Sequence, residues 1–279
     1  MKRILAISNQ KGGVGKTTTA INLASALSLM KQKVLLIDMD PQGNASSGLG
    51  IRKSAVSNGI AAVLLNQIAI SEAIHQYPHL PNLDIIPACL NLIGLPIELV
   101  NASRQNFRLK DALQNEAQEY DYVILDCPSA LDLLTINALA AAHSILIPLQ
   151  AEYLALEGIH DLLRTIQHIR QSLNTHLTIT GIIMTMVNLQ TKLSQEVVGQ
   201  TQSFFGEDLV FESLINRNIS FGEAPSHGLP IHLYSPRSNG SDQYTQVAKE
   251  FLFREGKLRS MNEKAEVIES RFWRRGKYG

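Results

Sequence analysis

The 279-residue chain has no excess of either charge: Lys and Arg together number 25, and Asp and Glu together 25. No global field therefore advertises binding to nucleic acid or to a membrane surface. Cysteine is scarce. Cys89 and Cys127 are the two present, too few for a disulfide framework and without metal-ligand spacing, so they read as small buried side chains. No apolar run approaches the length of a membrane span, and the N-terminus lacks a signal-peptide pattern. The expectation is a cytoplasmic protein. Internal repeats and low-complexity linkers are also missing, so nothing forces a division of the chain.

What is present is alternation. Short unbroken apolar runs, such as Val34-Leu35-Leu36-Ile37 and Tyr122-Val123-Ile124-Leu125, predict strands at 3–8, 33–38, 83–87, 121–126, 144–149 and 178–186. Runs of this kind suit strands buried on both faces, as in a parallel sheet. Helical patterns fill the intervals at 17–30, 58–76 in pieces, 105–119, 132–142, 155–173 and 192–205. Strand and helix in alternation with long crossovers predict an α/β fold, a doubly wound and mostly parallel sheet flanked by helices. One domain to about residue 253 is expected, followed by a tail over 254–279.

Between the first strand and the first helix stands Gln10-Lys11-Gly12-Gly13-Val14-Gly15-Lys16-Thr17-Thr18. This is the strand–loop–helix context that a phosphate-binding loop requires. The glycines let backbone N–H groups turn inward around a polyphosphate, and the start of the helix adds a favourable dipole. Lys16 is placed to reach the β- and γ-phosphates, and the Thr17 hydroxyl to ligate Mg²⁺. The usual first glycine of such loops is replaced by Gln10, and a second lysine, Lys11, follows it. A lysine at the mouth of the loop aims a second charge at phosphate.

Two carboxylate sites fall at other strand ends, where ligands of doubly wound sheets bind. Asp38-Met39-Asp40-Pro41-Gln42 ends the second strand and Asp126-Cys127-Pro128 the fourth. Asp126 suits a Mg²⁺–water ligand. Asp40 suits the orientation of an attacking water, because the proline after it stiffens the turn. An Asp-Pro pair alone is a plain turn. It gains meaning from the phosphate loop in the same chain.

With these residues in view the chain resembles the ParA/Soj group of P-loop ATPases with a deviant Walker A motif. The resemblance rests on Lys-Gly-Gly-Val-Gly-Lys-Thr-Thr at 11–18, Asp-Met-Asp-Pro-Gln-Gly-Asn at 38–44 and Asp-Cys-Pro at 126–128. Three further segments extend it: Glu152 to Gly158, Glu-Ala-Pro-Ser-His-Gly at 223–228, and Ser-Pro-Arg-Ser at 235–238. It implies ATP and Mg²⁺ as cofactors, weak intrinsic ATP hydrolysis, and an ATP-bound homodimer in which Lys11 reaches the partner's phosphates. Gly12 matches a position where side-chain bulk would obstruct that approach. Asp38 and Asp126 match the Mg²⁺ shell, and Asp40 the water-orienting carboxylate. Met186, Arg217 and Asn218 fall near segments that border the adenine. The implied role is chromosome or plasmid partitioning with a ParB-like activator.

The chain also departs from that pattern. Gln190 and Ser220 stand where relatives carry arginine, and Asn216 where proline is usual, while Lys192, Arg217 and Arg237 remain nearby. Fewer neutralised phosphates weaken non-specific DNA binding. The tail carries a net charge of 8 − 4 = +4 over 254–279, with Leu258, Met261, Ala265, Ile268 and Phe272 at helical spacing and Trp273 beside them. A terminal helix packed on its own domain or frayed is the plain expectation, with association through the apolar stripe, or membrane-surface or nucleic-acid contact by the Arg-Phe-Trp-Arg-Arg end, as alternatives. A MinD-like membrane-associated positioning ATPase is the rival biology, which the four interleaved glutamates disfavour. A non-DNA-binding scaffold is a further alternative, which Lys16, Asp40 and Asp126 argue against. His160, His168 and His176 read as an exposed polar face.

Overall fold

Each apolar run becomes a strand because helices cover it on both sides. The structure, a computed structural model, describes residues 3–116, 119–152 and 155–261. Its strands are β1 (Arg3–Ile7), β2 (Val34–Asp38), β3 (His75–Gln76), β4 (Leu83–Ile86), β5 (Tyr122–Asp126), β6 (Ser144–Gln150) and β7 (Thr178–Thr185). They form one sheet in the order β3-β4-β2-β5-β1-β6-β7. Every pairing is parallel except β3 with β4. This is the doubly wound sheet that the alternation predicts.

The helices are α1 (Lys16–Leu29), α2 (Asn44–Gly48), α3 (Ile60–Leu64), α4 (Leu95–Leu99), α5 (Arg108–Glu116) and α6 (Leu133–Ala141). After them come α7 (Ala155–Ser172), α8 (Lys192–Phe205), α9 (Ser220–Glu223), α10 (Ile231–Tyr234) and α11 (Asn239–Met261). The helical stretch expected to reach residue 76 stops earlier. After a 3₁₀ turn at Ile70–Ala73, His75 and Gln76 pair with Ile85 and Asp84 as an antiparallel edge strand. Two residues are too few for a period-2 pattern to show in the sequence. His168 and His176 are exposed, and α7 ends at Ser172, so His176 lies beyond the helix. No cluster with metal-ligand composition occurs among the described residues.

Two cores sandwich the sheet. On one face Leu35, Ile37, Val123, Leu125, Ile145 and Ile147 pack under α3 and α5–α8. On the other, Leu5, Ile7, Leu36, Ile124 and Leu146 pack under α1 and α11. Each fully buried Leu or Ile contributes about 1.5–3 kcal/mol relative to exposure. The long α11 is fastened along its length. Tyr244 hydrogen-bonds Thr19 of α1 (3.1 Å), the Phe251 ring meets Tyr122 edge-on, and Arg3 pairs with buried Glu255 at 2.8 Å. The helix runs without a break past residue 253. The apolar positions Ala265, Ile268, Phe272 and Trp273 lie outside the described residues. No helix among the described residues is long and apolar enough to cross a membrane.

Candidate functional site

The ends of β1, β2 and β5 are level. Ile7 and Asp38 are both register partners of Asp126, so the loop after β1 and the two aspartates open onto the same edge of the sheet. The loop rises from Ile7 and enters α1 at Lys16. Gly13 and Gly15 have φ of 76° and 88°, left-handed conformations that glycine adopts without strain. Gly15 is the residue before α1 and offers no side-chain cap, and the first turn carries no acidic residue. The unpaired N–H groups and positive dipole end of a 14-residue helix are therefore left for an anion.

Several polar contacts hold the loop open. Asn9 Nδ2 donates to Pro148 O at 2.7 Å, and its Oδ1 accepts from Lys11 N at 3.0 Å. Thr185 Oγ1, at the end of β7, donates to Val14 O at 2.8 Å. Gln10, the residue in place of the usual glycine, donates from Nε2 to Thr165 Oγ1 of α7 at 2.9 Å. Lys16 is buried and bends back to donate from Nζ to Lys11 O at 3.2 Å. Burial holds its pKa below the usual lysine value, against the pull of Asp126, Cys127 and Asp40. Lys11 extends away from the loop and pairs with Glu152 of the same chain at 3.3 Å, both side chains partly exposed. Gly12 has open space around it: a methyl placed there would meet nothing within 4 Å.

The two strand-end aspartates differ. Asp38 is fully buried and satisfied, its Oδ2 accepting from Ser46 N (2.8 Å) and Ser46 Oγ (2.6 Å), its Oδ1 from Asp40 N (3.2 Å). Burial still pushes its pKa up to about 6. Asp126 is fully buried, and neither of its oxygens completes a hydrogen bond. Burial, then the Asp38 charge, raises its pKa well above the ordinary value, and the Thr17 hydroxyl and Lys16 oppose the shift. A buried carboxylate with free lone pairs beside a threonine hydroxyl fits a hard divalent cation with oxygen ligands. Thr17 and Asp126, with Asp38 behind them, are the residues that would hold Mg²⁺. Cys127 is buried, and burial pushes its thiol up, so it is inert.

Asp40 is half-exposed in a stiff turn. Its Oδ1 accepts from Gln42 N at 2.9 Å, and Lys53 Nζ donates to Pro41 O and Gln42 O, each at 2.9 Å. The adenine-bordering candidates also meet. Val187 N donates to Ile215 O (3.0 Å) and Arg217 N to Val187 O (3.2 Å), which sets Met186 beside Arg217 and Asn218. Met186 has φ 51°, uncommon for a residue with a side chain. A cavity of about 300 Å³ lies against α1, with Thr17, Thr18, Asn22, Asn44, Phe221 and Pro225 in its wall.

The family model described as AAA domain matches residues 2–179. The sporulation initiation inhibitor protein Soj of Bacillus subtilis is 48% identical over 250 residues, 90% of this chain and 98% of that protein. The chain belongs to the ParA/Soj family of ATPases. The chromosome partitioning protein ParA of Myxococcus xanthus is 48% identical over 253 residues, 91% of this chain and 89% of its own length. Among solved structures, a cobyrinic acid a,c-diamide synthase from Mycobacterium smegmatis, with bound ADP and magnesium, superimposes with a TM-score of 0.80. It is 32% identical and spans 92% of this chain and 96% of its own. ATP and Mg²⁺ are the cofactors of this ParA/Soj-type ATPase.

Ser46, Thr185, Asn9 and Glu152 act on the site, and no sequence motif pointed to those roles. Ser46 and Asn9 are adjacent to motifs and short enough to bond back to backbone, a local signal. Thr185 ends β7 and Glu152 follows β6 by two residues, and only the fold brings them to Val14 and Lys11.

Proposed function

We propose that this ATPase drives chromosome or plasmid partitioning by cycling between an ATP-bound homodimer and monomers, with a ParB-like protein stimulating hydrolysis. The observation that carries this reading is the division of labour between two lysines on one loop. Lys16 is buried and closes the loop on itself, so it serves the phosphates of its own site. Lys11 stands at the mouth, its side chain held among the described residues by a partly exposed ion pair of a kind worth about 0–1 kcal/mol. It is free to swing to a partner's γ-phosphate and offset transition-state charge there. ATP carries more charge than ADP for Lys11 to meet, so ATP favours the dimer.

Within the site Asp40 orients the attacking water, and the loop N–H groups and Lys16 hold the triphosphate. Mg²⁺, when bound at Thr17 and Asp126, neutralises phosphate charge. Residues 1–253 make up the ATPase unit and 254–279 a basic tail. The protein works in the cytoplasm, with a nucleoid contact weakened by Gln190 and Ser220.

Asp40→Ala and Lys16→Ala test the scheme. With ATP and Mg²⁺, Asp40→Ala accumulates as an ATP-bound dimer, because both lysines still hold the nucleotide while water loses its guide. Lys16→Ala loses nucleotide affinity and stays monomeric. Light scattering reads both, and a monomeric Asp40→Ala with full ATP occupancy would rule the scheme out. Co-sedimentation with DNA in ATP and in ADP tests partitioning against a scaffold role.

A further inference from the structure

The Glu-Ala-Pro-Ser-His-Gly segment has no role in the chemistry above, yet it meets the catalytic edge through an unusually close contact. Gly228 (φ 68°) and Gly50 (φ 79°) are both left-handed and lie backbone to backbone. A methyl on Gly228 would stand 2.7 Å from Gly50 Cα and 3.0 Å from Gly50 N, closer than carbon atoms approach in packed proteins. One turn back, a methyl on Gly48 would stand 2.7 Å from Ile21 Cδ1 of α1 and 3.6 Å from Pro225 Cβ. The short α2 thus lies in close contact with both α1 and the segment. Tyr77 Oη donates to Gly228 O at 2.9 Å and fixes the outer side of that contact.

The other end of α2 is the catalytic turn. Gly43 N donates to Asp40 O (2.8 Å), α2 begins at the next residue, and Ser46 within it bonds Asp38 twice. Ser46 Oγ also accepts from Ala88 N at 2.9 Å. A shift of α2 therefore pulls on the Asp40 carbonyl and on the Asp38 carboxylate at once. The cavity beside Thr17 and Thr18 separates the segment from the phosphate side of α1, so its influence runs through α2.

We propose that the Glu-Ala-Pro-Ser-His-Gly segment braces the Asp38–Asp40 turn, with Gly228 as the positioning residue that sets the rate of hydrolysis without setting nucleotide affinity. The proposal rests on the assignment of Asp40 to water orientation. Displacing a catalytic group by about 1 Å costs on the order of a hundredfold in rate, and a Cβ at position 228 forces the Gly50 backbone, two residues past α2, to give way.

Gly228→Asn tests it, because asparagine tolerates left-handed backbone while its Cβ meets Gly50. Affinity for a fluorescent ATP analogue with Mg²⁺ and single-turnover ATP hydrolysis are measured on the full chain. The brace predicts a fall in rate of about tenfold or more with affinity within about threefold. Tyr77→Phe, which removes one hydroxyl, lowers the rate by about two- to threefold at unchanged affinity. A wild-type rate in Gly228→Asn, or equal loss of rate and affinity, overturns the brace while Asp40→Ala stays inactive. Wild-type hydrolysis by Asp40→Ala overturns the site assignment and the brace with it. Should Gly228→Asn not fold, an unchanged rate in Tyr77→Phe overturns the proposal by itself.

Discussion

Lys11 Nζ stands 3.3 Å from Glu152 Oε2 in its own chain, at the mouth of a loop whose other lysine is buried. The pair is exposed enough for water and salt to screen it, so it stores Lys11 at little cost. Lys11→Ala should therefore melt within about 0.5 kcal/mol of wild type and bind ATP through Lys16 and the loop N–H groups. It should fail to dimerise and to hydrolyse. Titration calorimetry and light scattering read the two properties separately. Loss of ATP binding to the degree of Lys16→Ala would mean that Lys11 acts in its own site.

Gly12 and Gly13 make a second contrast. Gly13 needs its glycine for a left-handed φ of 76°, whereas Gly12 has neither a positive φ nor a neighbour within 4 Å. Gly13→Ala should strain the loop by about 1 kcal/mol or more and weaken ATP binding. Gly12→Ala should fold and bind ATP as wild type does, yet dimerise poorly, because the obstruction exists only once a second copy approaches. Equal dimerisation of Gly12→Ala and wild type in ATP would remove that explanation for the glycine.

The buried carboxylates give the nucleotide-free protein a pH dependence of unusual sign. Asp38 keeps its proton to about pH 6 in the folded chain, against 3.8 when unfolded. Between those values the folded state binds the extra proton, so stability is greatest below the window and declines as pH rises through it. Asp126 moves in the same direction, since it too is buried and faces Asp38. Mg²⁺–ATP opposes the decline by favouring ionised carboxylates, so its thermal stabilisation should be larger at pH 7.5 than at pH 5. Asp38→Asn should flatten the slope without nucleotide. A slope of the same size in that variant would assign it elsewhere.

Much of this was legible because the site is built from chain-local motifs on strands that announce themselves. Val34–Ile37 and Tyr122–Leu125 are unbroken apolar runs, and an aspartate directly after each must emerge at the same sheet edge once both strands run parallel. What stayed hidden depends on contacts between distant segments. Nothing in the spacing of Gly50 and Gly228 shows that they touch, and Glu152 became Lys11's partner only through the β1–β6 pairing. The strand His75–Gln76 escaped for a different reason: its two residues owe their conformation to β4, not to their own pattern.

Val187 and Asn216 form a bridge between the loop after β7 and the segment leading to α9. Gln190 follows the first by three residues and Ser220, which opens α9, the second by four, so the two positions without the expected arginine stand on adjoining segments. Gln190 is exposed, and its N–H is tied to Asn188 Oδ1 (3.1 Å); Ser220 is half-exposed and tied to Asn218 Oδ1 (2.9 Å). Neither side chain contributes charge, while Arg217 and, at the start of α8, Lys192 remain close in the chain. The ATP dimer should therefore bind DNA weakly, with a shallow dependence on salt. Gln190→Arg with Ser220→Arg adds up to about four phosphate contacts per dimer, each steepening the slope of log affinity against log salt by about 0.9. Removing residues 262–279 takes away basic residues of the tail, so it should weaken whatever binding remains. Tight binding by wild type, with no effect of the truncation and no gain from the arginines, would place the DNA on another surface.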